Sequence, residues 1–335
     1  MTCIKHLAKT QYVLLWLACM LILPNTLKAN TILEQNISLK SGWNAVFLNV
    51  QVEETDLNKI FENTPIKKVI SYYPRHSSVQ FIQDPDNIEW NKNSWLRWVS
   101  SEYPDAFLNN LFRLNANRAY LIYSKETFVW NVQGKPVFES KKWQPESFNL
   151  TGFHINPEKN ISFADYFENS PAHADLNIYK LVNSKWQRIV RPDNEFIHEN
   201  EAYWVFCKGG SKYSGGLGIK YPNINNLLEF HIEGDVICLE ITNQSSDDMT
   251  FSLIPLENNE VPLSLKLTNE NFQSIYEPLV NYSPKKPLQP GQTDKICLTA
   301  RSKEILDSQA TGLLKITDNL GNQFYLNVWA KGLKE

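Results

Sequence analysis

"IFENTP" at residues 60–65 and "YFENSP" at residues 166–171 are nearly the same six letters, and 106 residues separate Phe61 from Phe167. A short helix explains both. Thr55 and Asp56 precede Leu57, Ile60 and Phe61, and Ser162 precedes Phe163, Tyr166 and Phe167, so each apolar set follows a capping residue at i, i+3, i+4 spacing. Pro65 and Pro171 prevent either helix from continuing, because proline lacks the N–H that the next turn needs. The motif is therefore structural punctuation with Phe61 and Phe167 as core anchors, and its recurrence predicts a duplicated module.

Further landmarks recur in the same order. "KSGWNAVFLNV" at 40–50 is matched to "LTGFHINPEKN" at 150–160, and "NSWLRWV" at 93–99 to "NSKWQRIV" at 183–190, which aligns Trp95 with Trp186 and Arg97 with Arg188. "LNANRAYLIY" at 114–123 is matched to "IHENEAYWVF" at 197–206, aligning Asn117 with Asn200 and Tyr120 with Tyr203. The interval shrinks along the chain, so the first copy carries insertions, the largest at 74–93, where Pro, Asp and Asn read as a loop. Stretches such as "WNAVFLNV" and "RAYLIYS" are rich in β-branched and aromatic residues and read as strands.

From about residue 225 the pattern changes to short runs alternating apolar and polar residues, with a terminal hairpin turning around Asn319 to Gly321. The expected fold is mainly β with short helices: two divergent tandem α+β repeats followed by an Ig-like β-sandwich. The boundaries are a signal peptide at 1–29, repeat 1 at 30–138, repeat 2 at 139–224 and the sandwich at 225–335. The glycine-rich stretch at 209–218 lacks the Gly-Lys-Ser/Thr ending of a phosphate loop and reads as a hairpin or an inter-domain connection.

Residues 1–29 carry Lys5 and Lys9, a 13-residue apolar run and a small residue at Ala29, the pattern of a secretory leader. An uncleaved anchor and a lipid attached at Cys19, after "WLA", are alternatives that stay open. Export permits disulfides, and in "DVICLEI" and "DKICLTA" alternation turns Cys238 and Cys297 to one outer face; the two are a disulfide candidate or a pair of free thiols.

"SGWNAVFLNV", "NRAYLIY", "QGKPVF" and "EAYWVF" together resemble the tandem modules, with a Gly-Trp-Asn start and an Ala/Gly-Tyr-Trp end, of exported proteins from environmental bacteria. "PLQPGQTDKICL" at 287–298 resembles the turn before a strand in bacterial Ig-like domains. The resemblance implies export and a modular, non-enzymatic character, and it brings no activity or site residues with it.

The residues narrow the chemistry. A formal net charge of −3 without a basic block argues against nucleic acid. There is no Gly-x-Ser-x-Gly elbow, and the histidines and cysteines have no metal-ligand spacing, so neither a metal nor a cofactor is expected. Eight of the ten tryptophans lie between residues 43 and 204; Trp90 and Trp98 have no partner in the second repeat and are the candidate ligand-binding rings. The expected function is that of an exported, non-catalytic binding or structural surface protein, its partner an extracellular glycan or another surface protein. The alternative is a secreted hydrolase with carboxylates converging between the repeats.

Overall fold

The computed structural model describes residues 32–73, 95–139, 141–222, 227–257 and 259–333. The expected leader at 1–29 with Cys19, the expected insertion at 74–93 and, within it, Trp90 lie outside them.

The first module contains β1 (Leu33–Leu39), β2 (Gly42–Leu48), β3 (Val50–Val52), helix α1 (Leu57–Ile60), β4 (Ile66–Tyr72), β5 (Trp95–Val99), β6 (Arg118–Ser124) and β7 (Phe128–Pro136). The second contains β8 (Ser147–Thr151), α2 (Phe163–Phe167), β9 (Ile178–Val182), β10 (Lys185–Arg188) and β11 (Tyr203–Cys207). The sandwich follows: β12 (Leu217–Lys220), β13 (Leu227–Phe230), β14 (Ile237–Asn243), β15 (Phe251–Pro255), β16 (Leu263–Thr268), β17 (Ser274–Pro278), β18 (Thr293–Ala300), β19 (Gln309–Asp318) and β20 (Gln323–Lys331).

Both helices form where the caps predict. The Asp56 carboxylate accepts from the Asn58 N–H at 2.9 Å, and the Ser162 hydroxyl accepts from the Asp165 N–H at 3.0 Å. Phe61 and Phe167 are buried in the cores of their modules.

The first module's four-stranded sheet runs β2-β6-β4-β5, and the second's, read in the corresponding direction, runs β8-β11-β9-β10. The registers equate individual residues. Trp95 pairs with Tyr72 and Trp186 with Leu181, both on the inner face. Tyr120 accepts a 2.7 Å hydrogen bond from the Asn115 N–H, and Tyr203 accepts one of 3.0 Å from the His198 N–H, five residues upstream in each case. Asn117 and Asn200 both hold positive φ, 58° and 66°, a conformation asparagine tolerates better than most side chains.

One alignment is corrected. Trp43 lies opposite Tyr123 and Phe148 opposite Phe206, so Gly42-Trp43-Asn44 corresponds to Ser147-Phe148-Asn149 and not to residues 152–154. The Asn44 and Asn149 amides each donate to the carbonyl two residues back, at 3.0 and 3.1 Å. Gly152 instead permits a close approach, since a Cβ there would fall 2.4 Å from Phe47 and 2.6 Å from the Glu201 carbonyl, where the modules touch.

The two sheets pack face to face through an aromatic layer. Trp43, Tyr72 and Trp95 of the first meet Phe148, Trp186 and Trp204 of the second, with Trp204 centred 5.0 Å from Tyr72 and 6.3 Å from Trp95. The outer face of the first sheet is covered by β1, β3, β7 and α1, and that of the second by α2 with Trp143 and Tyr213.

The sandwich has a five-stranded sheet, β12-β14-β18-β16-β17, against a four-stranded one, β13-β20-β19-β15. Its core is aliphatic, built on Leu228, Leu239, Leu253, Leu298, Leu314 and Leu326. Because β12 pairs with β14, the sandwich starts at Leu217 rather than at 225, and the glycine-rich segment becomes the connection into it. Cys238 lies directly opposite Cys297 and is disulfide-bonded to it.

Candidate binding surface and cavities

Trp98 is not an exposed ring, although it lines a hollow of about 390 Å³ beside Asn58, Phe61 and Lys67. It is 5% exposed, its ring lies 4.8 Å from Phe61, and its indole N–H donates to Asn58 Oδ1 at 3.1 Å. It faces away from Trp95 as alternation requires, but that second face is also covered, by α1 and the β1–β7 strands. Its counterpart in the second module is buried Ile189, whose N–H bonds Ile178 O at the equivalent register. The position belongs to the core in both modules. Trp90 lies outside the described residues.

What the first module does expose is the loop after β5. Within residues 106–112, Phe107 is 82% exposed, Phe112 74% and Leu108 53%. The loop is held firmly. Asn110 Oδ1 accepts from the Arg97 N–H at 2.6 Å, Asn109 Oδ1 from the Val99 N–H at 2.8 Å, and the Asn109 amide donates back to Val99 O at 2.9 Å. Buried Arg97 donates to Asp105 at 3.0 Å, and Leu111 anchors the far end in the core. Asparagine side chains thus complete the edge of β5, and the three apolar side chains are displayed on a fixed backbone. In the second module Arg188, the counterpart of Arg97, points to solvent.

Two hollows lie where parts of the chain meet. A cleft of about 480 Å³ opens between residues 36–46 of the first module and residues 180–184 and 195–202 of the second. It is polar and contains three carboxylates, Glu195, Glu199 and Glu201. Glu195 is ion-paired with Lys180 at 2.6 Å, Glu201 accepts from the Tyr203 hydroxyl at 3.0 Å, and partial desolvation raises the pKa of Glu199, an otherwise exposed residue, above the usual carboxylate value.

A second cavity, of about 370 Å³, lies where both modules meet the sandwich. Val137, Phe138, Phe153, Ile219 and Phe324 supply apolar wall, and Lys141 and His154 are among its polar groups. Lys141 donates to the Thr151 hydroxyl and to the Gly152 carbonyl at 3.3 Å, with its ammonium over the Trp143 ring at 4.9 Å and over Phe47 and Phe153 at 5.7 Å. Burial pulls its pKa down to about 7 against the pull of Glu139 in the other direction. His154 Nε2 is 2.7 Å from Asn117 Oδ1, and burial with the nearby Lys141 charge lowers its pKa to about 4. The local sequence supplies only one of the rings around Lys141, Trp143, while Phe153 and Phe47 come from other segments.

No family model and no curated protein matches this chain. Among solved structures it is similar to PapD-like domain 7 of human CEP192, at 11% identity over 36% of this chain and 87% of that one, with a TM-score of 0.22. It is also similar to the CsuC–CsuE chaperone–tip adhesion subunit pre-assembly complex from the archaic chaperone-usher Csu pili of Acinetobacter baumannii, at 9% identity over 35% of this chain and 56% of that one, TM-score 0.22. A third is the Vibrio cholerae VesB protease, at 8% identity over 89% and 99%, TM-score 0.21. The chain spans just over half the length of the pilus structure it matches. Likenesses this slight transfer neither a family name nor an activity. Among the described residues no helix is long and apolar enough to cross a membrane.

Proposed function

We propose that this is an exported, non-catalytic binding protein that engages another surface protein through the loop after β5. The observation that carries the reading is the fixed, outward display of Phe107, Leu108 and Phe112, while every described tryptophan of the modules is buried. Exposed apolar side chains on an ordered loop suit a protein-binding anchor, because little conformational entropy remains to be lost on contact. The glycan version of the reading loses its described ring with Trp98 in the core. The Cys238–Cys297 bond suits an oxidising compartment and so supports export. The shared strand order of the two module sheets supports reading them as copies of one ancestral unit.

The test compares the parent protein with a Phe107→Ser/Phe112→Ser variant for binding to intact cells of the source organism and to a polysaccharide array. The reading predicts cell binding reduced by about tenfold or more in the variant, with no array binding by either. Equal cell binding by the two proteins contradicts it.

The cleft with three carboxylates favours a second reading, a hydrolase in which Glu199, with its raised pKa, serves as the acid. Polysaccharide or peptide cleavage that a Glu199→Gln variant loses supports that reading, and cleavage unchanged in the variant removes it.

A further inference from the structure

Lys141 turns its amino group into the protein without a counter-ion, and it is a cation at and below its lowered pKa of about 7. Its ammonium has three N–H donors, and two are used, on the Thr151 hydroxyl and the Gly152 carbonyl. Among the described residues this partly buried side chain makes no ion pair, although charges withdrawn from water are normally paired. The charged groups around it do not settle the balance: Glu139 favours its charge, whereas Arg118 opposes it, and His154 and His173 are both near enough for their own protonation to be disfavoured by it.

The cavity repeats this imbalance on a larger scale. Lys141, Lys212 and Lys220 line it against a single carboxylate, Glu139, and Lys220 alone of the three is neutralised, by Glu240 at 2.9 Å. Lys212 stands exposed at the rim. The remaining wall combines aliphatic and aromatic residues with neutral polar ones such as Asn49, Gln244 and Gln323, and the volume of about 370 Å³ lies within the range of small-molecule sites.

We propose that this cavity seats an amphipathic monoanion of the carboxylate class, its head at Lys141 and its apolar body along Phe138, Phe153 and Phe324. A carboxylate there supplies the missing counter-charge in a site of low dielectric, where a charge-assisted hydrogen bond is worth more than in water. The apolar body gains dispersion contacts along the aromatic wall. The ring faces of Trp143, Phe47 and Phe153 hold the ammonium in place before the anion arrives. This ligand site is independent of the loop at 106–112, and either can fail without the other.

The probe is decanoate, with decanol as its uncharged analogue, titrated calorimetrically into the disulfide-intact protein. Decanoate should bind saturably and about tenfold or more tightly than decanol. Lys141→Met, which keeps the apolar stem, should reduce decanoate to the affinity of decanol. Lys212→Glu, a change at the exposed rim that leaves the buried contacts intact, should weaken decanoate severalfold and leave decanol unchanged. Three results overturn the proposal: no saturable binding of decanoate up to about 1 mM, equal affinity for decanoate and decanol, or undiminished decanoate binding by folded Lys141→Met. Should Lys141→Met not fold, undiminished decanoate binding by Lys212→Glu overturns it in the same way.

Discussion

Removing the Cys238–Cys297 bond should destabilise the sandwich while leaving its native contacts in place. The two cysteines face each other in a ladder that runs from Ile237 opposite Leu298 to Thr242 opposite Thr293, and their neighbours Leu239 and Ile296 are buried. Strand pairing and core packing therefore hold the native sheet together without the bond. The loss falls on the unfolded chain, which regains the freedom of a segment spanning a sequence separation of 59 residues. The chain-entropy relation puts the effect at about 4 kcal/mol for a loop of this size. For a domain the size of the sandwich that corresponds to a fall in midpoint of roughly 10–20 °C. The assay is thermal unfolding of a Cys238→Ala/Cys297→Ala variant by far-ultraviolet circular dichroism, with the parent measured with and without dithiothreitol. A midpoint unchanged by both mutation and reductant would refute the reasoning, because the bond would then constrain nothing in the unfolded state.

Further predictions concern the aromatic layer, acid stability and the contact between modules. Trp204→Ala empties the centre of the layer between the two sheets and should cost about 3–5 kcal/mol in urea unfolding; a cost below about 1 kcal/mol would mean that the sheets are not packed as described. Burial, with Lys141 adding to it, holds the pKa of His173 down to about 4, and its Nδ1 lies 2.6 Å from the Ser170 hydroxyl. The folded chain thus keeps this ring neutral where the unfolded chain binds a proton, so its contribution is complete above about pH 6.5 and is lost as pH falls toward 4. His154 behaves alike, and the expected slope is up to about 1.4 kcal/mol per pH unit for each ring. Urea midpoints measured from pH 7 to 4 check this, and a His173→Gln variant should show a shallower decline. Gly152→Ala should destabilise the contact between the modules, with a lower thermal midpoint, since Phe47 and the Glu201 carbonyl occupy the space a methyl group would need.

The features written locally in the sequence are the readable ones. The caps at Asp56 and Ser162, the inward faces of Trp95 and Trp186, and the outward alternation of Cys238 and Cys297 all concern residues whose neighbours along the chain fix their direction. Alternation places Trp98 on the face opposite Trp95, but it carries no information on what lies against that face. The cover comes from α1 and from β7, which is distant in sequence. Letter matching pairs Trp43 with Phe153, because Gly152-Phe153 resembles Gly42-Trp43. Strand register, which equates Trp43 with Phe148, depends on the partner strands β6 and β11. Lys141 and the loop at 106–112 are invisible for another reason: neither the rings around Lys141 nor the return of Asn109 and Asn110 onto β5 follows a strand or helix period, so no residue pattern announces them.

The most direct test of the binding reading places a photo-crosslinking phenylalanine analogue at position 107 and, as a control, at Val190, an exposed apolar residue on the second module. Irradiation on cells of the source organism should yield a discrete protein adduct from position 107, none from position 190, and loss of the position 107 adduct when Phe112→Ser is added. Adducts of equal yield from both positions, or none from position 107, would contradict the claim that this loop is the protein's binding surface.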